Sequence, residues 1–413
     1  MMLPTLVRRV SIHRAIILCS TGSENNARFV HPRHDTPHRQ QYTDINNYKS
    51  PNIMTLKNFF STAMRSAQRR SFIFLIALVS SLSFFSVSVH SETTVGGKAT
   101  NLVPVLACVW DPIGKAGPVG QIMAEAKIYA AKWGVDLSYV VYSDERVAIE
   151  EFKLGRCDAV NMLGFRAREF NTLTGSLGAI GAIPSYEALG VVLKSLSSEK
   201  AARLMRVGEY EIFAIGPAGA IFMFTRDRSI LLPGDFAGKR MAVLDDIPES
   251  SYLSKKHGIT PVSSTIFNSI LKFNNGSVDL TAAPAIVYEP FEMHKGLEPN
   301  GGIYKEPFLY ITMQVVARWE KFPADFAQKA RNQAISDYAR FVKWLVDPEA
   351  TIPEKYWIDI PPNLYDYWVE DFRQSRIELG EMGIYDSRTL KLMRKVRCKL
   401  EPSSAECSAA RKE

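Results

Sequence analysis

Residues 102–163, LVPVLACVWDPIGKAGPVGQIMAEAKIYAAKWGVDLSYVVYSDERVAIEEFKLGRCDAVNML, decide the fold. LVPVLACVW (102–110) is a short apolar run closed by Asp111 and Pro112, the pattern of a buried strand. A glycine-rich loop follows, and Ile122, Ala126, Tyr129 and Trp133 then recur at helical spacing until Gly134 ends the helix. VDLSYVVY (135–142) predicts a second strand and Asp144 to Leu154 a second helix. CDAVNML (157–163), between Gly155 and Gly164, predicts a third strand. Strand–helix–strand–helix–strand order implies a parallel sheet with right-handed crossovers. Ligands in such sheets sit beyond the carboxyl ends of the strands, so Asp111, Tyr142 to Arg146, and Gly164 to Arg168 fall on one rim.

A second unit follows the extended stretch YEIFAIGPAGAIFMFTRD (210–227). Its predicted elements are a strand within GDFAGKRMAVLDD (234–246), a helix over Pro248 to His257, a strand ITPVSS (259–264), a helix over Ser264 to Asn274 and a strand within GSVDLTAAPAIV (276–287). FLYITMQVVARW (308–319) is long enough to cross between the units. Phe326, Ala330, Ala334, Tyr338 and Phe341 then mark one long helix over Pro323 to Leu345, and Pro362 to Leu379 and Ser387 to Arg397 give two more. The expected architecture is α/β: two units joined by hinge strands, one inserted into the other, with C-terminal helices. The expected divisions are a first lobe at 92–222, a second at 223–312, a crossing strand and long helix at 313–345, and C-terminal helices and tail at 346–413.

The surplus of 50 Lys+Arg over 43 Asp+Glu lies entirely within residues 1–91. The rest of the chain is near neutral, which removes the case for a nucleic-acid partner. Arg65, Arg69 and Arg70 precede the charge-free run Ser71 to Val89, and Val89 and Ser91 suit a cleavage site before Glu92. Residues 64–91 therefore read as a signal peptide directing export to the periplasm, and 1–63 as an upstream extension foreign to the native protein.

Four cysteines follow that site: Cys108, Cys157, Cys398 and Cys407. An exported chain with four allows three pairings. First and third strands of doubly wound sheets are commonly neighbours, which favours Cys108 with Cys157 and leaves Cys398 and Cys407 to close a small loop. Without a CxxC, and with only His257 and His294 beyond residue 91, no metal or other cofactor is expected. TGSLG (174–178) lacks the first glycine of a nucleophile elbow and GDFAGKR (234–240) the spacing of a phosphate-binding loop, so no enzyme activity is expected.

YSDERVAIEEFKLGRCDAV (142–160), LLPGDFAGKRMAVLDD (231–246) and FNSILKFNNGSVDLTAAP (267–284) together resemble segments of TRAP-type, DctP-like solute receptors. CVWDPIGKAGP (108–118), SDERVAIEEFKLGRCDAVNMLGFRAREFN (143–171) and KFNNGSVDLTAAPAIVYEP (272–290) are similar to the AdeT-like solute-binding proteins. The resemblance spans residues 102–345. It implies a two-lobe periplasmic binding protein fold of type II-like form, with hinge strands, that captures a small molecule in an interlobe cleft and delivers it to transporter membrane subunits. It also implies a departure: the arginine that grips organic acids in TRAP receptors is here Ala242, and the polar residue before the proline of the third segment is Ala283, before Pro284.

The candidate ligand residues are Asp111, Tyr142, Asp144, Phe165, Arg166, Tyr186, Asp245, Pro284 and Tyr288. An acidic rim of Asp111, Asp144, Glu145, Asp245 and Asp246 favours a cationic or hydroxyl-rich ligand, although Asp144 and Asp246 also suit helix caps. Arg166 or Arg168 could replace the missing arginine, and the aromatics, with Tyr252, could stack on a ligand. An accessory component of a drug-efflux system would need long coiled-coil heptads, which are absent from the sequence. An enzyme on the same scaffold would need the missing chemistry.

Overall fold

The computed structural model describes residues 102–117, 119–409 and 413. The expected extension, signal peptide and cleavage site lie outside the described residues. Strands β1 (Val103–Trp110), β2 (Val135–Tyr142) and β3 (Ala159–Leu163) form a parallel trio with β1 in the middle. Helices α1 (Val119–Lys132) and α2 (Glu145–Lys153) make the crossovers. α2 begins at Asp144 because that carboxylate accepts the Arg146 amide at 2.9 Å, satisfying an N–H with no partner inside the helix. It buries Ala148, Ile149 and Phe152, and Phe152 packs edge-on against Phe170. Burying such a ring contributes about 2–3 kcal/mol.

Helix α3 (Tyr186–Leu196) leads to β4, a 16-residue strand at Tyr210–Thr225. Then come β5 (Arg240–Leu244), α4 (Pro248–Lys256), β6 (Thr260–Ser264), α5 (Ile266–Asn274), β7 (Leu280–Pro284) and β8 (Leu309–Arg318). The main sheet runs β2-β1-β3-β8-β4-β7-β5-β6. Thus β7-β5-β6 is a second parallel trio, and β8 and β4 lie between the trios, antiparallel to each other.

The strand that pairs in both halves is β4, through β8 at Tyr210–Ile221 and through β7 at Ile221–Thr225. β8, expected to cross, stays on the first side and pairs with β3 and β4. The boundary expected at residue 222 therefore falls inside a continuous strand. The ladder slips between Pro217 and Gly219, leaving Ala218 as an extra residue. Pro217 has no N–H to donate, and Gly219, at φ +141°, lies where an added Cβ would come within 2.9 Å of Pro284 Cβ. The bulge gives the crossing a local bend.

The expected long helix is two, α6 (Phe326–Ser336) and α7 (Tyr338–Val346), parted at Asp337 with ψ near −5°. The Gln333 side chain donates to the Asp337 carboxylate at 3.0 Å, one turn on. α8 (Pro362–Glu381) and α9 (Ser387–Leu400) follow, and a short helix at Ala405–Ser408 comes after them. α8 touches both halves: Arg376 donates to the Ile180 carbonyl at 3.0 Å, and Trp368 to that of Leu231 at 2.8 Å. The disulfides are Cys108–Cys157 and Cys398–Cys407, each with Cα atoms 5.6 Å apart. The first rests on the strand adjacency expected of β1 and β3.

Candidate functional site

The carboxyl ends of the two parallel trios meet across β4 and β8. On the first side the chain leaves β3 at Leu163 and turns at once through a short helix, Gly164–Ala167. Glycine is required there, since a Cβ on residue 164 would lie 2.3 Å from Thr312 Oγ1. The tight exit points Phe165 and Arg166 at the opposite half, where β5 ends at Leu244 and Asp245–Asp246 lead into α4.

Arg166 bridges the halves. Its Nε donates to Glu145 Oε2 at 2.7 Å, and its two terminal nitrogens donate to the two oxygens of Asp246. Glu145 is buried, and its other oxygen accepts the Leu163 amide at 2.6 Å. Burial pushes the Glu145 carboxyl above its ordinary value, against the opposing pull of that amide and of Arg166. The Arg166 guanidinium also lies 5.4 Å from the centre of the Phe165 ring. Two residues on, Arg168 donates to both oxygens of Glu249, in the first turn of α4, and to the Gly175 carbonyl at 3.3 Å.

The other expected residues separate into groups. Asp111 has no exposed surface: its carboxylate accepts the Ile113 amide at 2.8 Å and the Val119 amide at 3.0 Å, tying down the loop that opens α1. A cavity of about 280 Å³ beside it is walled by Lys115, Val119, Gly120 and Tyr139–Val141. Asp111 backs that cavity while its oxygens serve backbone amides. Asp144 caps α2, and exposed Asp245 accepts the Ser263 hydroxyl at 2.5 Å. Tyr142 is half-buried at the end of β2.

Tyr186 and Pro284 belong to the crossing. The Tyr186 hydroxyl accepts the Ala220 amide at 2.9 Å and its ring packs edge-on against Tyr310, with burial raising the phenol above its ordinary value. Pro284 lies against Gly219. Tyr288 is only 2% exposed, among core residues including Tyr356. Ala242, where the resemblance lacks its arginine, is also buried. Glu249 went unnoticed in the sequence, because its partner is 81 positions away. The one local signal was the match between the Arg166/Arg168 pair and two acids, Asp246 and Glu249, bracketing a helix start.

The family profile described as "Solute-binding protein AdeT 1/2" matches residues 106–412. Among curated sequences, "Probable solute-binding protein AdeT1" of Acinetobacter baumannii is 39% identical over 300 residues, covering 73% of this chain and 99% of that protein. "Probable solute-binding protein AdeT2" of the same organism is 25% identical over 240 residues, covering 57% of this chain and all of that protein. A TRAP periplasmic solute-binding protein of Ralstonia eutropha, solved with (S)-2-acetolactate, superposes with a TM-score of 0.58 at 12% identity, over 72% of this chain and 99% of its own. The ectoine-binding protein of a Halomonas elongata TRAP transporter superposes at 0.55 with 16% identity, over 72% and 99%. At such identities the likeness is one of fold: the two-lobe fold of TRAP receptors.

Proposed function

This chain belongs to the solute-binding protein AdeT 1/2 family, and we propose that it captures a small polar solute between its lobes in the periplasm and presents the closed complex to transporter membrane subunits. The observation that carries this reading is the convergence of both carboxyl edges on one bulged crossing strand, with Arg166 and Asp246 meeting between them. Capture is non-covalent and leaves the solute unchanged, without a cofactor.

In this reading Phe165, Arg166, Tyr142 and Asp245 face the solute when the lobes part. Asp144, Pro284 and Tyr186 shape the rim and the crossing, while Asp111 and Tyr288 support the walls from behind. Export follows from the segment at 64–91, and mass spectrometry of the periplasmic protein should find an N-terminus near Glu92.

A solute bound only by the folded state raises its melting temperature. A thermal-shift screen of amines, polyols and organic acids against purified protein should therefore yield at least one compound whose shift grows with concentration. Calorimetric titration of that compound should give one site per chain. The absence of any shift across all three classes, with well-folded protein, would overturn the proposal.

A further inference from the structure

We infer that Arg166 is a cleft latch whose acid ligand is built into the chain: Asp246, from the opposite half, takes the guanidinium face that a solute carboxylate would otherwise use. This deepens the reading above and rests on it. An arginine offers a fork that matches a carboxylate bidentately. Here both terminal nitrogens are engaged by Asp246 and Nε by Glu145, so the three nitrogens already serve two carboxylates. Glu145 is locked in turn by the Leu163 amide, which leaves Arg166 no room to turn toward a third acid. A second bolt, Arg168 to Glu249, joins the same short segment of the first half to the same helix start of the second.

The two bolts have different weights. Glu249 and Arg168 are little exposed, at 11% and 15% of their side chains, whereas Asp246 is 43% exposed. The outer bolt is therefore open to screening by salt and the inner one much less so. A free acid must displace a carboxylate tethered next to its partner, which competes at high effective concentration. It must also enter among Glu145, Asp245, Asp246 and Glu249, where like charge opposes it. Two consequences follow. Simple carboxylates bind poorly to the intact protein, and the latch holds the halves together without any solute.

The experiment compares the wild-type chain with D246A and with D246A/E249Q. Asp246 is exposed and Glu249→Gln keeps an amide oxygen for Arg168, so both variants should fold, which circular dichroism checks. Small-angle scattering reads opening without any ligand: the radius of gyration, about 20 Å for a body of this size, should rise in the double variant and, to a smaller degree, in D246A. Calorimetric titration with malonate and with lactate reads the freed fork, and D246A should bind at least ten-fold more tightly than wild type at low salt. An unchanged radius in the double variant, or tight acid binding by wild type that D246A leaves untouched, overturns the inference. If the radius rises and acid binding appears only in D246A while no solute of any class binds wild type, the latch stands and the solute-capture reading fails.

Discussion

Replacing Asp111 separates a ligand group from a structural one. Its carboxylate has no exposed surface and accepts two backbone amides, Ile113 at 2.8 Å and Val119 at 3.0 Å. Hydrogen bonds to a charged group contribute about 1.5–3 kcal/mol each. Asp111→Ala removes both, and part of the loss is returned because Pro112 and Gly114 leave the loop half-open to water. The expected cost is ~3–4 kcal/mol. Asp111→Asn keeps one oxygen for one amide but loses the charge and turns an NH2 toward the other, for an expected ~2–3 kcal/mol. At roughly 2 °C per kcal/mol for a body of this size, the alanine variant should melt about 6–8 °C below wild type and the asparagine variant about 4–6 °C below. Both losses should appear in the absence of solute. Gly117→Ala should act in the same direction, since its Cβ would lie 2.1 Å from Asp111 Oδ2. Differential scanning calorimetry of the three variants is the assay. An Asp111→Asn protein that melts with wild type but loses its solute-induced shift would refute the reasoning and make Asp111 a ligand group after all.

Other groups give sharper, smaller tests. Removing the Cys108–Cys157 bond, which closes 49 residues, should cost up to ~4 kcal/mol of chain entropy, against roughly 2.5 for the 9-residue Cys398–Cys407 loop; melting of Cys108→Ala/Cys157→Ala and Cys398→Ala/Cys407→Ala pairs should rank in that order. Arg331 and Glu211, both 3% exposed, pair at 2.8 Å, while the second Glu211 oxygen accepts from Arg206 at 2.8 Å, so Arg331→Met leaves one carboxylate oxygen without its partner and should destabilise by about 1.5–3 kcal/mol in urea titration. Burial pushes the Glu349 carboxyl up to about 7. The folded chain then holds that proton to higher pH than the unfolded one, so stability present below about pH 4.5 is lost as pH rises toward 7. Because the group is only half-buried, Glu349→Gln should gain no more than about 1–2 kcal/mol over wild type at pH 8 and nothing at pH 4.5, read as melting temperature at each pH.

How much of this was legible in sequence depended on whether the deciding contact was local. Asp144 caps α2 through the amide two residues on, and Thr265 and Asn268 exchange side-chain and backbone bonds at the start of α5. Such motifs are complete within a few residues, and the helices begin where the sequence places them. The Cys108–Cys157 pairing was readable because the first and third strands of doubly wound sheets are commonly neighbours. The break at Asp337 was not, because the apolar spacing runs through it undisturbed. The crossing was assigned to the smoother strand, Leu309–Arg318. The chain instead crosses at YEIFAIGPAGAIFMFT, whose Pro217 and Gly219 look like a linker until a bulge accommodates them both.

The directions of the rim side chains were least legible, and the reason is geometric. Strand ends fix which residues approach the rim, but side-chain direction is settled by neighbours far away in sequence. Gly117 folds close enough that Asp111 must turn inward, and Tyr288 follows a turn that buries it. Ala242 carries the same lesson about chemistry. In this chain its methyl is part of the core, in the same cluster as Ile270 and Phe273, so the position belongs to packing and not to recognition. The guanidinium at the cleft comes from the first half and the carboxylate that meets it from the second. A scaffold shared with receptors at 12–16% identity keeps its fold through many backbone contacts, whereas the charge at a cleft rests on single residues. On the latch proposal, what the cleft admits is decided by the contest between a solute carboxylate and the tethered Asp246 for one guanidinium.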